Sequence, residues 1–231
     1  MMRRFFVLLV LVALGLSACA TDPSLRGGGD NSPSVATAPQ PTTAASSGSA
    51  PTNIVELADQ IDAAMAAVKS FQQVIEVVTV NDGKRFQSKT TVQVDRSDSS
   101  AIKAYSVTDM GDGNSAQAIT IGDDAYVKNP GENWQKTELP EENKANLTPD
   151  FTKSLRQASS LETAGAETID GVAVTKYLAT GQDEVVEIYV DAGHRLIRRV
   201  VRPAQEVSGD EGGMTVTFGA FDEQFQIDAP I

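Results

Sequence analysis

The stretch FQQVIEVVTVNDGKRFQSKTTVQV, residues 71–94, decides the fold of this 231-residue chain. From Phe86 to Val94, apolar or small residues alternate with Gln, Lys and Thr, the period of a strand with one solvated face. Asn81, Asp82 and Gly83 interrupt the pattern with residues that favour a tight turn. The stretch therefore predicts a β-hairpin.

Strand patterns continue toward the C-terminus. Further candidate strands cover residues 101–107, 115–121, 125–128, 134–137, 167–169, 172–179, 184–190, 195–202 and 214–218. The segments between them, such as MGDGN and SGDEGG, are rich in residues that favour turns. Because strands joined by short turns pair with their neighbours, we expect a near-continuous antiparallel meander.

A helix is expected immediately before the hairpin. Asn53 is a favoured N-cap residue, and Glu56 follows it by three positions. Apolar residues then recur at helical spacing on one stripe, namely Ile54, Leu57, Ala58, Ile61, Ala64, Met65 and Val68. This stripe needs an apolar partner surface, which the sheet can supply.

A second helix is predicted midway along the chain, in NLTPDFTKSLRQAS at residues 146–159. Thr148 can cap it, Pro149 suits the first helical position, and Phe151 and Leu155 lie four residues apart. The predicted fold class is α+β, with a single large curved antiparallel sheet, a half-barrel, whose concave face is covered by helices.

The N-terminus has the pattern of a bacterial export signal. Arg3 and Arg4 precede the apolar run FFVLLVLVALGL at residues 5–16, which is shorter than the roughly 20 residues of a membrane span. LSAC, residues 16–19, is similar to a lipobox, in which a diacylglyceryl group alkylates the cysteine. We predict that Cys19 is lipidated; the alternative is a plain secreted protein in which this cysteine has no special role.

A low-complexity segment separates Cys19 from the first helix. Of the 33 residues from 20 to 52, 26 are Ala, Gly, Pro, Ser or Thr, and none is aromatic. Such a segment buries too little apolar surface to offset the entropy lost on ordering. We therefore expect a signal peptide at 1–18, a lipidated cysteine with a disordered tether at 19–52, and a folded domain at 53–231.

Composition argues against several functions. The single cysteine excludes an intrachain disulfide, and the net charge of −12 disfavours nucleic-acid binding. With His194 as the only histidine, neither a Cys–His pair nor a multi-histidine metal site can form. The loop with Asp109, Asp112 and Asn114 departs from EF-hand spacing and predicts an ordinary turn. We predict no enzyme, catalytic residue, metal or cofactor; a hydrolase with paired carboxylates is the enzymatic alternative.

Four arginines cluster in HRLIRRVVRP, residues 194–203. Strand alternation puts Arg195 and Arg199 on one face, with Arg198 and Arg202 on the other. Mixed polarity on both faces predicts a strand near a rim or an edge. Ion pairs with the abundant carboxylates are the expected role, and binding of a polar head group at a cavity mouth is the alternative.

Several stretches together resemble a known family. After the lipobox, tether and first helix come DDAYVKNPGENWQK (123–136), IDGVAVTKYLATG (169–181), VEIYVDAGHRLIRRVV (186–201) and VTFGAFDEQFQIDAP (216–230). In this order they resemble the LppX/LprA/LprF/LprG lipoproteins of mycobacteria and related actinobacteria. The resemblance covers about residues 53–231 and implies a half-barrel that encloses an apolar cavity, related in fold to bacterial lipoprotein carriers.

The resemblance also implies a function. The expected protein is a lipoprotein of the cell membrane, lipid-anchored and facing the periplasm or cell exterior. It would bind acylated envelope lipids or glycolipids and transport or present them across the envelope, with an inner-membrane transporter as a further candidate partner. The alternative is an envelope sensor or interaction module of the same fold with no lipid cargo.

Candidate cavity-lining residues come from the strand faces, since the family supplies no binding motif to transfer. They are Phe86, Val92, Val94, Val186, Ile188, Val190, Val216 and Phe218, with Phe151 and Leu155 as a lid. Plain packing in a hydrophobic core is the alternative role for each of them.

Overall fold

The structure is a computed structural model that describes residues 53–81, 84–111, 113–139, 150, 152–181, 184–203 and 212–231. The predicted signal peptide, Cys19 and the predicted tether lie outside the described residues, as do Thr148, Pro149 and Phe151 of the second predicted helix.

Eleven strands form one antiparallel sheet in the described chain. Their bounds are β1 (Ser70–Asn81), β2 (Lys84–Asp95), β3 (Lys103–Asp109), β4 (Ser115–Ile121), β5 (Asp124–Lys128), β6 (Gln135–Glu138), β7 (Ser160–Ile169), β8 (Val172–Thr180), β9 (Val185–Asp191), β10 (Ile197–Pro203) and β11 (Gly213–Gly219). The large antiparallel sheet is therefore confirmed.

The strand order is β6-β5-β4-β3-β2-β1-β11-β10-β9-β8-β7. Two meanders, β1 to β6 and β7 to β11, are each built from sequence neighbours, as predicted. They are joined where β1 pairs with β11, with Ile75 opposite Val216. Strands β6 and β7 form the two edges, so the sheet does not close into a barrel.

The predicted hairpin is β1 and β2. Asn81 lies opposite Lys84, so two residues connect the strands, as the turn composition predicts. At the other end, Phe71 lies opposite Val94, and both are buried. Phe86 lies near the hairpin tip and is 55% exposed, because no described element covers that end of the strand pair.

The first predicted helix is confirmed as α1 (Ile54–Ala67). The side-chain oxygen of Asn53 accepts a hydrogen bond from the backbone N–H of Glu56 at 2.8 Å, as expected of an N-cap. The buried residues of the helix are Leu57, Ala58, Ile61 and Met65. At its other end, Arg96 donates from Nε to the carbonyl oxygen of Val68 at 2.7 Å and from Nη2 to that of Met65.

The second helix, α2, is described over Lys153–Gln157 and follows Thr152. Its Leu155 is buried together with Phe71, Tyr177 and the apolar stripe of α1 in one core cluster. Both helices therefore pack on the same side of the sheet, which we call the helix side. No helix of the described chain is long and apolar enough to cross a membrane.

Strand β10 corrects two predictions about the arginine cluster. It begins at Ile197 and lies between β9 and β11, so it is neither at a rim nor at an edge. Arg195 adopts a φ of 61° in the preceding turn. A register shift between Ile197 and Arg199 interrupts the strand alternation. Ile197 and Val200 are three residues apart, yet both face the helix side, so the predicted assignment of faces by simple alternation is wrong here.

The opposite side of the sheet carries a smaller apolar cluster. Ile119 and Tyr126, from β4 and β5, are buried there beneath Ile227 of the C-terminal segment. Phe225 and Trp134 pack against the same cluster. The C-terminal residues thus cover part of the face that α1 and α2 leave open.

Candidate functional site

Most of the predicted lining residues meet on the helix side. Seven of them belong to the core cluster that α1 enters, namely Val94, Leu155, Val186, Ile188, Val190, Val216 and Phe218, and Val92 packs against it. Phe86 is exposed near the hairpin tip, and Phe151 lies outside the described residues. The structure brings these eight side chains together; that they line a lipid cavity stays a prediction.

Tyr177 is a member of this cluster that the sequence analysis did not select. It lies on β8 opposite Ile188, and its side chain is 0% exposed. Within the described part of the chain its hydroxyl has no hydrogen-bond partner, an unfavourable state for a buried polar group. The alternation in VAVTKYLAT, which puts Tyr177 and Ala179 on one face, is the signal that could have identified it.

A polar cluster joins α2 to α1 at the helix surface. One Nη of Arg156 lies 2.8 Å from Asp59 and 2.7 Å from Asp62, and these hydrogen bonds, the one to Asp62 foremost, raise the pKa of Arg156. The buried Thr152 donates to the same Asp62 carboxylate, with oxygen separations of 3.0 and 2.9 Å. The Arg156 side chain is 39% exposed, so water screens its ion pairs.

Arg202 brings a positive charge to the helix side. It lies two residues after Val200 on β10, and its guanidinium contacts the hydroxyl of Ser154 in α2. Its Nε is buried, and no described residue provides a hydrogen-bond acceptor for it. The described residues show no carboxylate within ion-pair distance of it, so the ion-pair role expected of the cluster stays a prediction at Arg202.

The two neighbouring arginines have other environments. Arg198 donates to Oδ2 of Asp191 at 3.2 Å, and its guanidinium lies 4.8 Å from the centre of the Phe221 ring. Arg199 lies over the ring of Tyr189, 5.8 Å from its centre. The expected ion pair is therefore present at Arg198, while Arg199 makes a cation–π contact.

Asp191 holds the turn between β9 and β10. Its Oδ1 accepts hydrogen bonds from the backbone N–H groups of Gly193 at 2.8 Å and His194 at 2.9 Å. Burial alone raises the pKa of Asp191, but these hydrogen bonds and Arg198 outweigh burial, so the pKa lies below its usual value. His194 is 80% exposed at the turn, in agreement with a solvated histidine.

The acidic loop after β3 is an ordinary turn in its described part. Oδ1 of Asp109 accepts from the backbone N–H of Gly111 at 2.9 Å, and Asp112 lies outside the described residues. Across the part of the chain that the structure describes, no group of three or more acidic, histidine or cysteine side chains could hold a metal ion.

An open recess of about 740 Å³ lies on the solvent side of α1. Its described lining mixes polar and apolar side chains, namely Asn53, Val55, Glu56, Asp59, Gln60 and Ala63. None of the predicted lining residues contributes to it, so it is separate from the apolar cluster on the helix side.

Comparison with known proteins finds similarity in structure. No protein-family model matches the sequence, and no curated protein matches it significantly. LprF from Mycobacterium bovis has a TM-score of 0.59 at 12% identity, covering 77% of this chain and 96% of that chain. The Mycobacterium tuberculosis lipoprotein LppX has a TM-score of 0.55 at 16% identity, covering 76% of this chain and 98% of that chain.

The comparison bears on the predicted family resemblance. The second of these structures is described as a lipoprotein. At such identities structural similarity establishes the fold alone. The resemblance stated from the sequence is confirmed at that level, because this chain has the fold shared by LprF and LppX.

Proposed function

We propose that this protein is a membrane-anchored lipoprotein that binds acylated envelope lipids or glycolipids between its sheet and helices and transports or presents them across the envelope. In this proposal residues 1–18 are the signal peptide, Cys19 carries the acyl anchor, residues 19–52 are the tether and residues 53–231 bind the lipid. The observation that most supports this proposal is that the sheet is far larger than the described helices that pack on it.

The dimensions make this mismatch concrete. The 14 residues of α1 form a helix about 21 Å long. Eleven strands at a spacing of about 4.8 Å extend about 48 Å across the sheet. The five residues of α2 add less than 10 Å of helix. The described helices are therefore too small to cover the whole helix side, and this mismatch in size supports binding of an apolar ligand there.

Apolar transfer would drive lipid binding. Each square ångström of acyl chain removed from water contributes about 25 cal/mol, so a passive groove needs no chemical step. The short helix α2, which is held to α1 by partly exposed ion pairs, is suited to move as a lid. In the proposal the sheet is a half-barrel, and the helices lie over its concave face.

The lipid anchor would set the location. Two acyl chains on Cys19 hold a protein at a bilayer, while the tether lets the domain face the periplasm or cell exterior. An inner-membrane transporter that delivers or receives the lipid is then a candidate partner.

An interaction module without lipid cargo is the second candidate. The packing of Val186, Ile188, Val190 and Val216 within one cluster with α1 supports it, because side chains in mutual contact do not require a ligand. In that case the fold would recognise an envelope protein through its surface.

Native mass spectrometry of the full chain, purified from an actinobacterial envelope in mild detergent, separates the two candidates. We expect a bound lipid on the wild-type protein, and less lipid on Val186→Trp, since Val186 is buried in the helix-side cluster. Val185→Trp is the matched control, because Val185 is adjacent on β9 and exposed. Bare polypeptide in every preparation, with partner proteins retained by Val186→Trp, would favour the interaction module.

The anchor is tested separately by metabolic labelling with radioactive palmitate. We expect the wild-type chain to take up the label and Cys19→Ala to take up none. A labelled Cys19→Ala protein would show that the acyl group is not on this cysteine.

A further inference from the structure

Arg202 is the most unusual charge on the helix side. It lies opposite Met214 of β11, and the buried Val186 is on the other neighbouring strand, β9. In a chain with 31 acidic against 19 basic residues, it nonetheless has no carboxylate partner among the described residues. Its described polar contact is the hydroxyl of Ser154.

The N–H donors of Arg202 are suited to bind an oxyanion. Arginine presents its N–H groups as a rigid planar fork that pairs with two oxygens of a carboxylate or phosphate. In Arg202 the Nε side of that fork is buried, with no acceptor from the residues that the structure describes. A buried donor without a partner is unfavourable, so an oxyanion at this position would remove the penalty and neutralise the charge.

Comparison within the cluster singles out Arg202. The Nε atoms of Arg198 and Arg199 also lack acceptors in the described chain. Arg198 is paired with Asp191, however, and Arg199 lies over Tyr189, whose cluster is on the opposite side of the sheet. Of these three arginines, Arg202 is the one that combines a helix-side position with no negative partner among the described residues.

Tyr177 supplies a second unpartnered donor on the same side. Tyr177 on β8 lies opposite Ile188 on β9, which in turn lies opposite Val200 on β10. Arg202 follows Val200 by two residues, so it is two strands and two residues away from Tyr177. The two Cα atoms are therefore about 12 Å apart. Both side chains rise from the same face, so one polar lipid head with its ester linkages can contact both.

We propose that Arg202 binds the phosphate of an anionic diacyl lipid and that the Tyr177 hydroxyl donates to an ester carbonyl of the same molecule. This inference rests on the proposed lipid-binding function and names the class of its ligand. The acyl chains would lie along the apolar cluster beside Val186 and Ile188, and Ser154 of α2 would close over the head group.

The test compares two lipids that differ in the head group alone. The full chain in detergent micelles is mixed with equal amounts of phosphatidic acid and diacylglycerol with identical acyl chains, and native mass spectrometry measures the ratio of the two complexes. A charge-assisted contact predicts a preference for phosphatidic acid of about ten- to hundredfold. Arg202→Gln should abolish this preference while diacylglycerol still binds.

Two variants control for indirect effects. Arg199→Gln removes a positive charge from the same strand on the opposite side, and it should keep the wild-type preference. Arg202→Lys keeps the charge but loses the fork, and an intermediate preference is expected. Equal binding of the two lipids by the wild-type protein, or an unchanged preference in Arg202→Gln, would overturn the proposal. If neither lipid binds, the proposed function itself fails.

The Tyr177 contact is tested with Tyr177→Phe, which removes the hydroxyl alone. We expect about fivefold weaker binding of phosphatidic acid, with no loss in the free energy of unfolding, because the hydroxyl donates to no described residue. Binding equal to wild type would remove Tyr177 from the proposed site.

Free phosphate is distinguished from a lipid phosphate by competition. Inorganic phosphate and glycerol 3-phosphate, added in excess, should leave the phosphatidic acid complex intact, since they lack the acyl chains. Displacement of the lipid by either anion would show that the site recognises a free phosphate, contrary to the proposal.

Discussion

Arg156 of α2 donates a hydrogen bond to the Asp62 carboxylate of α1 at 2.7 Å, although 94 residues separate them in the sequence. The same nitrogen lies 2.8 Å from Asp59, and Thr152 adds its hydroxyl to Asp62. Leu155 is buried beneath these polar contacts. The short helix is thus held to α1 by ionic contacts at the surface and by one apolar side chain below.

Arg156→Gln should loosen α2. Because a five-residue helix has little stability of its own, we expect amide exchange over residues 153–157 to accelerate roughly two- to fivefold. Hydrogen–deuterium exchange with mass spectrometry measures this directly. High salt should reduce the difference from wild type, since it screens partly exposed ion pairs.

Lys153→Gln is the matched control for Arg156→Gln. Lys153 is exposed in the same helix and makes no ion pair with any described residue. Its substitution should leave the exchange unchanged. Equal exchange in the wild type and in Arg156→Gln would show that the ionic contacts do not hold α2.

Local patterns in the sequence were sufficient for α1 and the first hairpin. Asn53 and Glu56 mark the helix start, and alternation with a two-residue turn sets the pairing of β1 with β2. In both cases residues near in sequence determine the structure. The same reasoning predicted the antiparallel meander, since nine of the ten pairings in the sheet join strands that are neighbours in the sequence, and only that of β1 with β11 does not.

Strand β7 and the start of β10 were harder to predict. SLETAGAETI contains Gly165 and exposed residues on both faces, because an edge strand packs little and shows no alternation. The sequence analysis therefore recognised residues 167–169 alone. In β10 the register shift after Ile197 adds one residue relative to β9, which changes which residues share a face. An added residue of this kind has no signal in the local sequence pattern.

The site depends on contacts between distant residues, which the sequence analysis could not pair. It placed Leu155, Val186 and Val216 on apolar faces, and the structure brings them together. The contact between Arg202 and Ser154 joins β10 to α2. Neither that contact nor the unpartnered hydroxyl of Tyr177 follows from local periodicity.

Ile61→Ala tests the packing of α1 against the sheet. Ile61 is fully buried in the helix-side cluster, so loss of its side chain should lower the free energy of unfolding by about 2–5 kcal/mol. Val55→Ala, on the exposed face of the same helix, should change it by less than about 0.5 kcal/mol. Urea denaturation measures both, and equal effects would contradict the described packing.

Arg96→Met tests the C-terminal end of α1. Arg96 satisfies two carbonyl oxygens there, and its guanidinium lies 5.4 Å from the centre of the Phe71 ring. Burial lowers the pKa of Arg96, and Asp222 partly opposes that change. Methionine keeps the apolar stem but no donor, so we expect a loss of about 1–3 kcal/mol in the free energy of unfolding.

Arg85→Met is the control for that substitution, because Arg85 is exposed near the hairpin tip. It should have little effect on unfolding. If Arg96→Met were as stable as Arg85→Met, the two hydrogen bonds would not contribute to holding the helix end.

Asp191→Asn tests the buried carboxylate in the turn between β9 and β10. The amide can still accept from the N–H groups of Gly193 and His194, but it loses the charge that faces Arg198. At neutral pH we expect a loss of about 1–3 kcal/mol in the free energy of unfolding. Glu167→Gln, which removes an exposed carboxylate from β7, should have almost no effect.

The difference between wild type and Asp191→Asn should depend on pH in a defined direction. The pKa of Asp191 in the folded protein lies below its ordinary value of 3.8, so the folded state favours the ionised form. This contribution is complete above that ordinary value and is lost as the pH falls through the lower pKa of the folded state. Urea unfolding at neutral pH and at successive steps below about pH 4 should therefore show the two proteins converging in acid. A constant difference across this range would mean that the stabilising effect of Asp191 does not depend on its ionised form, and that Arg198 stabilises the turn through packing on Phe221 instead.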